Sequence, residues 1–156
     1  MGGGVVANLD RFGYAGKIYL VNRNRTEING RPCVATVDEL PEGIDLVGIL
    51  VPQAGIKEAI AAAARRKAGA VIVYAAGFAE MGEVGRDEQA ELAAVARAGG
   101  MRLVGPNGIG LINYVDGIPL TFESVPTAIP GIAPTVGIVA QSGAMETNMR
   151  VATIAK

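Results

Sequence analysis

Short, continuous apolar runs separated by segments of helical periodicity restrict the fold of this chain more than any other feature. The runs occupy residues 46–51, 70–74 and 101–104. Such a run is typical of a strand that is buried on both faces of a parallel sheet. Strands that alternate with helices form right-handed βαβ units. The sequence therefore predicts an α/β protein with a Rossmann-like parallel sheet and helices on both faces.

Each of these predicted strands ends in small or turn-forming residues. Pro52 follows the first, Ala-Ala-Gly-Phe-Ala at residues 75–79 follows the second, and Gly-Pro-Asn at residues 105–107 follows the third. In open parallel sheets, ligands bind at the carboxyl ends of the strands. Small residues there let a ligand approach the backbone closely. An ordinary turn would explain any single strand end, but the recurrence favours a binding edge.

Three consecutive glycines at residues 2–4 lead into apolar residues at helical spacing, beginning with Val5 and Val6. A glycine run that opens a helix is a common phosphate cradle, because its free N–H groups point outward. In a dinucleotide-binding fold such a loop follows a strand, so we expect that a first strand is missing here. A sheet without it would have an unpaired apolar edge or gap. This predicts low stability or dimerisation.

A basic loop follows the predicted strand at residues 17–21. It reads Asn22-Arg23-Asn24-Arg25 and contains no acidic residue. In NAD enzymes an acidic residue near this point binds the ribose diol, whereas an arginine accommodates a ribose phosphate. The loop is therefore either an ordinary solvated surface or a site for a phosphorylated ribose, as in NADP or coenzyme A.

The last part of the chain predicts the start of a second domain. Residues 114–134 are proline-rich and aperiodic, and we interpret them as a connecting segment. Residues 135–140 predict a strand, and a helix follows from about Ala144. Ser142 is a good helix N-cap, and Ser142-Gly143 could equally be an anion site at a helix N-terminus. We assign residues 1–125 to the first domain and residues 126–156 to a linker and the first strand and helix of the second.

Composition excludes several classes of function. The chain has 156 residues and a net charge of −1, which gives no reason to expect nucleic acid or an anionic membrane as a partner. The single Cys33 cannot form an internal disulfide and is compatible with a cytoplasmic location. No apolar run approaches the length of a bilayer span. There is no histidine, so the chain cannot complete a mechanism that needs an imidazole.

Five segments in chain order resemble one family, and together they cover nearly the whole sequence. They are NLDRFGYAGKIYLVN, EINGRPC, AAGFAEMG, GPNGIGLIN and GIVAQSGA. The family is that of the NDP-forming acyl-CoA synthetases, which are relatives of the succinyl-CoA synthetase alpha subunit. The resemblance implies a Rossmann-like CoA-binding domain, followed by a flavodoxin-like domain that in the family contains a phosphorylated histidine.

The resemblance also implies roles for particular residues, with none catalytic and none binding a metal. The glycine loop would hold the CoA phosphates, the basic loop would contact the nucleotide end, and two strand ends would border the adenine or pantetheine path. Asn107 would lie near the thiol. A proline is usual in the family where this chain has Arg23, whereas Arg25 stands where a basic phosphate ligand is expected. The implied CoA-binding residues are Gly3, Gly4, Asn22, Arg23, Arg25, Val51, Pro52, Ala76, Gly77, Phe78 and Asn107, and the implied phosphate-binding residues are Ser142 and Gly143.

The implied function is the CoA-binding portion of a synthetase that converts an acid, CoA and NTP into acyl-CoA, NDP and phosphate. The reaction would pass through an acyl phosphate and a phosphohistidine that this chain lacks. We therefore expect no activity from the chain alone, ATP or GTP and Mg²⁺ only in the complete enzyme, and the remaining synthetase domains or subunit as partners. A homo-oligomer is a further expectation. The alternatives are a stand-alone CoA-binding regulatory module and an NADP-binding oxidoreductase domain, although no G-x-G-x-x-G follows a strand.

Overall fold

The computed structural model of the chain describes residues 2–127 and 136–154. The helices are α1 (Gly2–Arg11), α2 (Ile56–Arg65), α3 (Glu83–Ala98) and α4 (Gly143–Ile154). The strands are β1 (Leu20–Val21), β2 (Glu27–Ile28), β3 (Arg31–Val34), β4 (Leu46–Ile49), β5 (Ala70–Val73), β6 (Arg102–Val104), β7 (Gly110–Asn113) and β8 (Ile118–Thr121). Short 3₁₀ turns cover Val37–Glu39, Gln53–Gly55 and Ala79–Met81.

The three continuous apolar runs form a parallel sheet in the order β4-β5-β6, as the sequence predicts. Helices α2 and α3 cover one face of this sheet. Val71 and Val73 of β5 pack there against Ile60 of α2 and Leu92 of α3, in a core from which solvent is excluded. The helical periodicity of the two segments places their apolar residues on this side.

The opposite face of the sheet is covered by α1 and β8. Because side chains alternate along a strand, Ile72 and Tyr74 point away from α2 and α3. They pack with Val5 and Leu9 of α1, and the Tyr74 hydroxyl donates a hydrogen bond to the carbonyl oxygen of Leu120 at 3.0 Å. Helices therefore lie on both faces of the sheet, which confirms the predicted Rossmann-like α/β architecture.

Strand β1 belongs to a different sheet. It pairs in parallel with β3, and β3 pairs with β2 in an antiparallel hairpin, giving the order β1-β3-β2. In the part of the chain that the structure describes, β4 pairs only with β5 and β1 only with β3. One edge of each strand therefore has no strand partner, and Ile18, Leu46 and Leu50 pack against the same core under α1. The expectation of low stability or dimerisation stays a prediction.

The predicted connecting segment, residues 114–134, contains strand β8, which forms an antiparallel hairpin with β7. The side-chain oxygen of Asn113 accepts hydrogen bonds from the backbone N–H groups of Val115 and Asp116, and this closes the turn. Strand β8 was not predicted from the sequence because it contains Pro119, and proline is unusual inside a strand.

The strand predicted at residues 135–140, as the first strand of a second domain, stays a prediction. Residues 136–140 form no β-ladder with any described strand, and Thr135 lies outside the described residues. The Val139 side chain is fully exposed. Apolar character favours a strand, but a strand forms only where another supplies its hydrogen-bond partners.

The helices within residues 2–127 and 136–154 do not combine the length and apolar character that a membrane crossing requires.

Replacing Tyr74 by phenylalanine should lower the free energy of unfolding by about 1 kcal/mol. The ring would keep its packing, but the hydrogen bond to the carbonyl oxygen of Leu120 would be lost. Urea denaturation followed by circular dichroism measures the change. The matched control is Tyr19→Phe, since Tyr19 is 44% exposed and its replacement should change stability by less than about 0.5 kcal/mol.

The difference between the wild-type and Y74F chains should also shrink at alkaline pH. Burial raises the pKa of Tyr74 to about 12, whereas a tyrosine in the unfolded chain titrates near pH 10. As the pH rises from about 10 to about 12, the unfolded state therefore loses the proton first, and the stabilisation by Tyr74 declines. A Y74F chain as stable as the wild type at neutral pH would contradict the role of this hydrogen bond.

Candidate functional site

The carboxyl ends of β4, β5 and β6 meet at one edge of the sheet, because the three strands are parallel. Val51 and Pro52 follow β4, and Asn107 follows β6. The segment Ala76-Gly77-Phe78 follows β5. The structure thus brings together six of the residues that the sequence suggests for CoA binding.

Hydrogen bonds join the three loops into one continuous surface. The Gln53 side-chain nitrogen Nε2 donates to the carbonyl oxygen of Gly77 at 2.8 Å, which links the loops after β4 and β5. The backbone N–H of Asn107 donates to the carbonyl oxygen of Ala75 at 2.8 Å, which links the loops after β5 and β6. The edge is therefore a connected platform.

The turn after β6 depends on a close approach between two backbones. Gly105 has φ +90°, and a Cβ there would lie 2.3 Å from the carbonyl oxygen of Val73. Asn107 has φ +58°, a conformation that asparagine tolerates better than most residues. The turn leaves the Asn107 residue exposed at the edge of the sheet.

The residues of the platform differ in what they can offer a ligand. Val51, Pro52, Ala76 and Asn107 are exposed. Phe78 is only 2% exposed and packs in the core formed with α2 and α3. Its side chain is therefore an anchor for the loop, so the expected role of Phe78 at the ligand path is restricted to its backbone.

Glu80 is a residue of this loop that the sequence analysis did not identify. Its carboxylate oxygen Oε1 accepts a hydrogen bond from the backbone N–H of Gly77 at 2.6 Å. That hydrogen bond is the main reason why the pKa of Glu80 lies below its usual value. The glutamate lies in the first turn of the short 3₁₀ helix and reaches back three residues to Gly77, which precedes the N-cap Phe78. An acidic residue in the first turn of a helix is the weak signal that the sequence offered.

The glycines at the start of the chain are not in a loop, which corrects the expectation for Gly3 and Gly4. They form the first turn of α1. A Cβ on Gly4 would lie 2.9 Å from the carbonyl oxygen of Phe122, so Gly4 also permits α1 to pack closely after β8. Gly3 is exposed with open space around it. The N–H groups of a first helical turn have no partner within the helix and can still face an anion.

The basic loop lies at the end of β1, in the other sheet. The Asn22 side-chain oxygen accepts a hydrogen bond from the N–H of Asn24 at 2.9 Å, which shapes the turn. Arg23 and Arg25 are exposed, and neither forms an ion pair within residues 2–127 and 136–154. No hydrogen bond between described residues joins this loop to the platform.

Helix α4 begins beside the Gly-Pro-Asn turn. The Ser142 hydroxyl accepts a hydrogen bond from the N–H of Met145 at 3.4 Å, as expected of an N-cap. Gly143 lies against Ile109, since a Cβ on the glycine would be 3.3 Å from Cγ2 of that isoleucine. The structure therefore places Ser142 and Gly143 close to the loop that carries Asn107.

A buried arginine fixes α4 to the first domain. Arg150 is 6% exposed. Its guanidinium donates to the Glu146 carboxylate at 3.0 Å and lies 3.8 Å from the Glu123 carboxylate. A buried charge is costly unless it is paired, so this cluster ties the helix to the segment after β8. No pattern in the sequence pointed to it.

Gly105→Ala should destabilise the protein much more than Gly100→Ala. Both glycines have positive φ, at +90° and +71°, where an L residue costs about 1–2 kcal/mol. Only at Gly105 would the new methyl group meet backbone, because nothing lies within 4 Å of a Cβ at Gly100. Urea denaturation should show at least about 2 kcal/mol more loss for G105A. Equal losses would contradict the close approach of the turn to β5.

A family comparison gives a match over most of the chain. Residues 1–114 match the family described as "CoA binding domain". The match includes the whole platform after β4, β5 and β6, and also the basic loop after β1.

Two curated relatives are named as a CoA synthase and as a subunit of a CoA ligase. The chain is 42% identical to trans-feruloyl-CoA synthase FCS1 of an unknown prokaryotic organism, over 93% of this chain and 21% of that protein. It is 34% identical to the alpha subunit of the ADP-forming acetate–CoA ligase II of Pyrococcus furiosus, over 96% of this chain and 32% of that subunit. The chain thus spans about a fifth to a third of the length of these relatives.

A solved structure has the same fold. It is the dinucleotide forming acetyl-coenzyme A synthetase 1 of Ca. Korarchaeum cryptofilum, in complex with phosphate and ADP. The TM-score is 0.86 at 27% identity, over 97% of this chain and 32% of that one.

Proposed function

The chain belongs to the CoA-binding domain family, and on that premise we propose that it supplies the coenzyme A site of an NDP-forming acyl-CoA synthetase. The observation that carries the proposal is the platform of hydrogen-bonded loops at the carboxyl edge of the parallel sheet. Ligands of open α/β sheets bind at this edge. Its exposed residues are mostly small or apolar, as a long, thin pantetheine arm requires.

The two ends of CoA would be held by different parts of the chain. Arg23 and Arg25 would bind the 3′-phosphate, and their exposure without ion pairs among the described residues supports this. Asn22 shapes the same loop. The pantetheine arm would run along Val51, Pro52 and the Ala76-Gly77-Phe78 backbone. When bound, CoA supplies the thiol that accepts the acyl group.

Helix N-termini would hold the phosphates. The free N–H groups and the dipole of a helix N-terminus favour anions. Gly3 and Gly4 in the first turn of α1 are suited to the CoA phosphates. Ser142 and Gly143 open α4 beside the Asn107 loop, which suits the phosphate released when the thiol is acylated.

The reaction would be completed by other parts of the synthetase. The chain contains no histidine, so a phosphohistidine would come from another domain or subunit, together with the site for ATP or GTP and Mg²⁺. We propose that residues 126–156 contain a linker and the first strand and helix of a second domain. The exposure of Val139, Met145 and Met149 supports this, because these apolar residues have no core in the described structure. The single Cys33 is compatible with a reducing cytoplasm, where we place the protein.

Calorimetric titration of the folded chain with CoA, dephospho-CoA and NADP tests the proposal. CoA should bind saturably, and removal of its 3′-phosphate should weaken binding about tenfold or more, as expected for a charge-assisted contact. Arg25→Gln should lower CoA affinity by a similar factor and leave dephospho-CoA affinity unchanged. Arg86→Gln is the control, because Arg86 is also an exposed arginine but lies on α3, and its replacement should change neither affinity.

Failure of the folded wild-type chain to bind CoA would contradict the proposal. Tighter binding of NADP than of CoA would instead favour the oxidoreductase alternative, which the basic loop also permits.

A further inference from the structure

Two side chains from different parts of the chain form hydrogen bonds with the two peptide groups of Gly77. The Glu80 carboxylate accepts a hydrogen bond from the Gly77 N–H at 2.6 Å. The Gln53 side-chain amide donates one to the Gly77 carbonyl oxygen at 2.8 Å. We propose that Gln53 and Glu80 are positioning residues that preorganise the loop after β5 for coenzyme A. This inference rests on the proposed function.

The Gln53 side chain also connects this loop to α3. Its Nε2 donates a second hydrogen bond to the Glu88 carboxylate at 2.8 Å. A side-chain amide has two N–H donors, and both are therefore used. Gln53 lies in the turn after β4, so a single side chain links the loops after two neighbouring strands to a helix.

Gly77 is the residue of this loop whose backbone conformation depends most on these hydrogen bonds. It has φ +107°, in a region that favours glycine, and a Cβ there would lie 2.9 Å from the Gln53 Oε1 atom. Glycine is also the residue with the widest choice of backbone conformations. Its two peptide groups therefore change direction easily unless hydrogen bonds fix them.

Side-chain packing fixes only one end of the loop. Phe78 is buried in the core, and its backbone lies so close to α3 that a Cβ on Gly85 would be 1.9 Å from the Phe78 carbonyl oxygen. Gln53 and Glu80, by contrast, are exposed residues. At the Gly77 end of the loop, hydrogen bonds from Gln53 and Glu80 hold the two peptide groups.

The consequence is an effect on affinity without direct contact to the ligand. If the loop were free to sample several conformations, CoA would have to order it on binding, and this ordering lowers affinity. The carboxylate of Glu80 is ionised at neutral pH, so its hydrogen bond to the Gly77 N–H is charge-assisted and of the stronger kind.

Calorimetric CoA titration of Gln53→Ala, Glu80→Ala and the double variant tests this inference. Each single change should weaken CoA binding about three- to tenfold, as the loss of one hydrogen bond would. The double variant should lose less than the product of the two factors, because both residues act on one glycine. Asp87→Ala is the control, since it removes an exposed carboxylate from α3 near Glu88 and should leave the affinity unchanged.

The Gly77 amide resonance gives a readout that does not depend on CoA. In the wild-type chain its proton should lie downfield and exchange slowly. Glu80→Ala should abolish both properties, and Glu80→Gln, which keeps an acceptor without the charge, should reduce them and cause a smaller loss of affinity. The Gln variant also provides the test if the Ala variant does not fold.

The outcomes separate the two proposals. Wild-type binding of CoA with unchanged affinity in the Gln53 and Glu80 variants would overturn the positioning role alone. A wild-type chain that shows the Gly77 amide signature but binds no CoA would overturn the proposed function, and the positioning role with it.

Discussion

Complete burial of β5 is the constraint on which the rest of the structure depends. Val71, Ile72 and Val73 are inaccessible to solvent on both faces of the sheet. Buried backbone N–H and C=O groups must find hydrogen-bond partners, so β5 requires a strand on each side. Strands β4 and β6 supply them in parallel register. Because all three strands run in one direction, their carboxyl ends must meet at one edge.

The candidate site lies at that edge of the sheet, but its shape also depends on hydrogen bonds between the loops. The three parallel strands place their following loops side by side. Backbone N–H and C=O groups in these loops lie beyond the ends of the strands and have no partner in the sheet. Those groups are paired across the loops, by the Asn107 N–H with Ala75 and by Gln53 with Gly77. The pairing converts three separate turns into a surface with a defined shape. Preorganisation of this kind lowers the entropic cost of binding a flexible ligand.

The sheet and its helices could be predicted because their signals are local. A continuous apolar run or a stripe at helical spacing lies within one short window, and so does a glycine-rich stop such as Gly99-Gly100, where α3 ends. The predicted site residues after β4, β5 and β6 come together for the same reason. Strand ends are visible in the sequence, and parallel topology places them at one edge.

What the sequence did not reveal depends on contacts between distant segments. Gln53 and Gly77 are 24 residues apart, and no local pattern pairs them. The core position of Phe78 follows from the packing of α2 and α3, not from its neighbours in the chain. Strand β8 was missed because Pro119 is atypical of strands, although its side chain is fully buried here. The strand predicted at residues 135–140 has no partner among the described strands and stays a prediction.

Helix α4 has an unusual distribution of exposed apolar residues and buried charge. A helix on the surface of a finished domain normally turns its apolar residues inward and its charges outward. In α4 the buried contact is the arginine Arg150, paired with Glu146 and Glu123, whereas Met145 and Met149 are exposed. A paired charge fixes a helix in place but adds little hydrophobic stabilisation. This inverted polarity is what a helix would show if its apolar surface belonged to a second core, and it supports the proposed second domain.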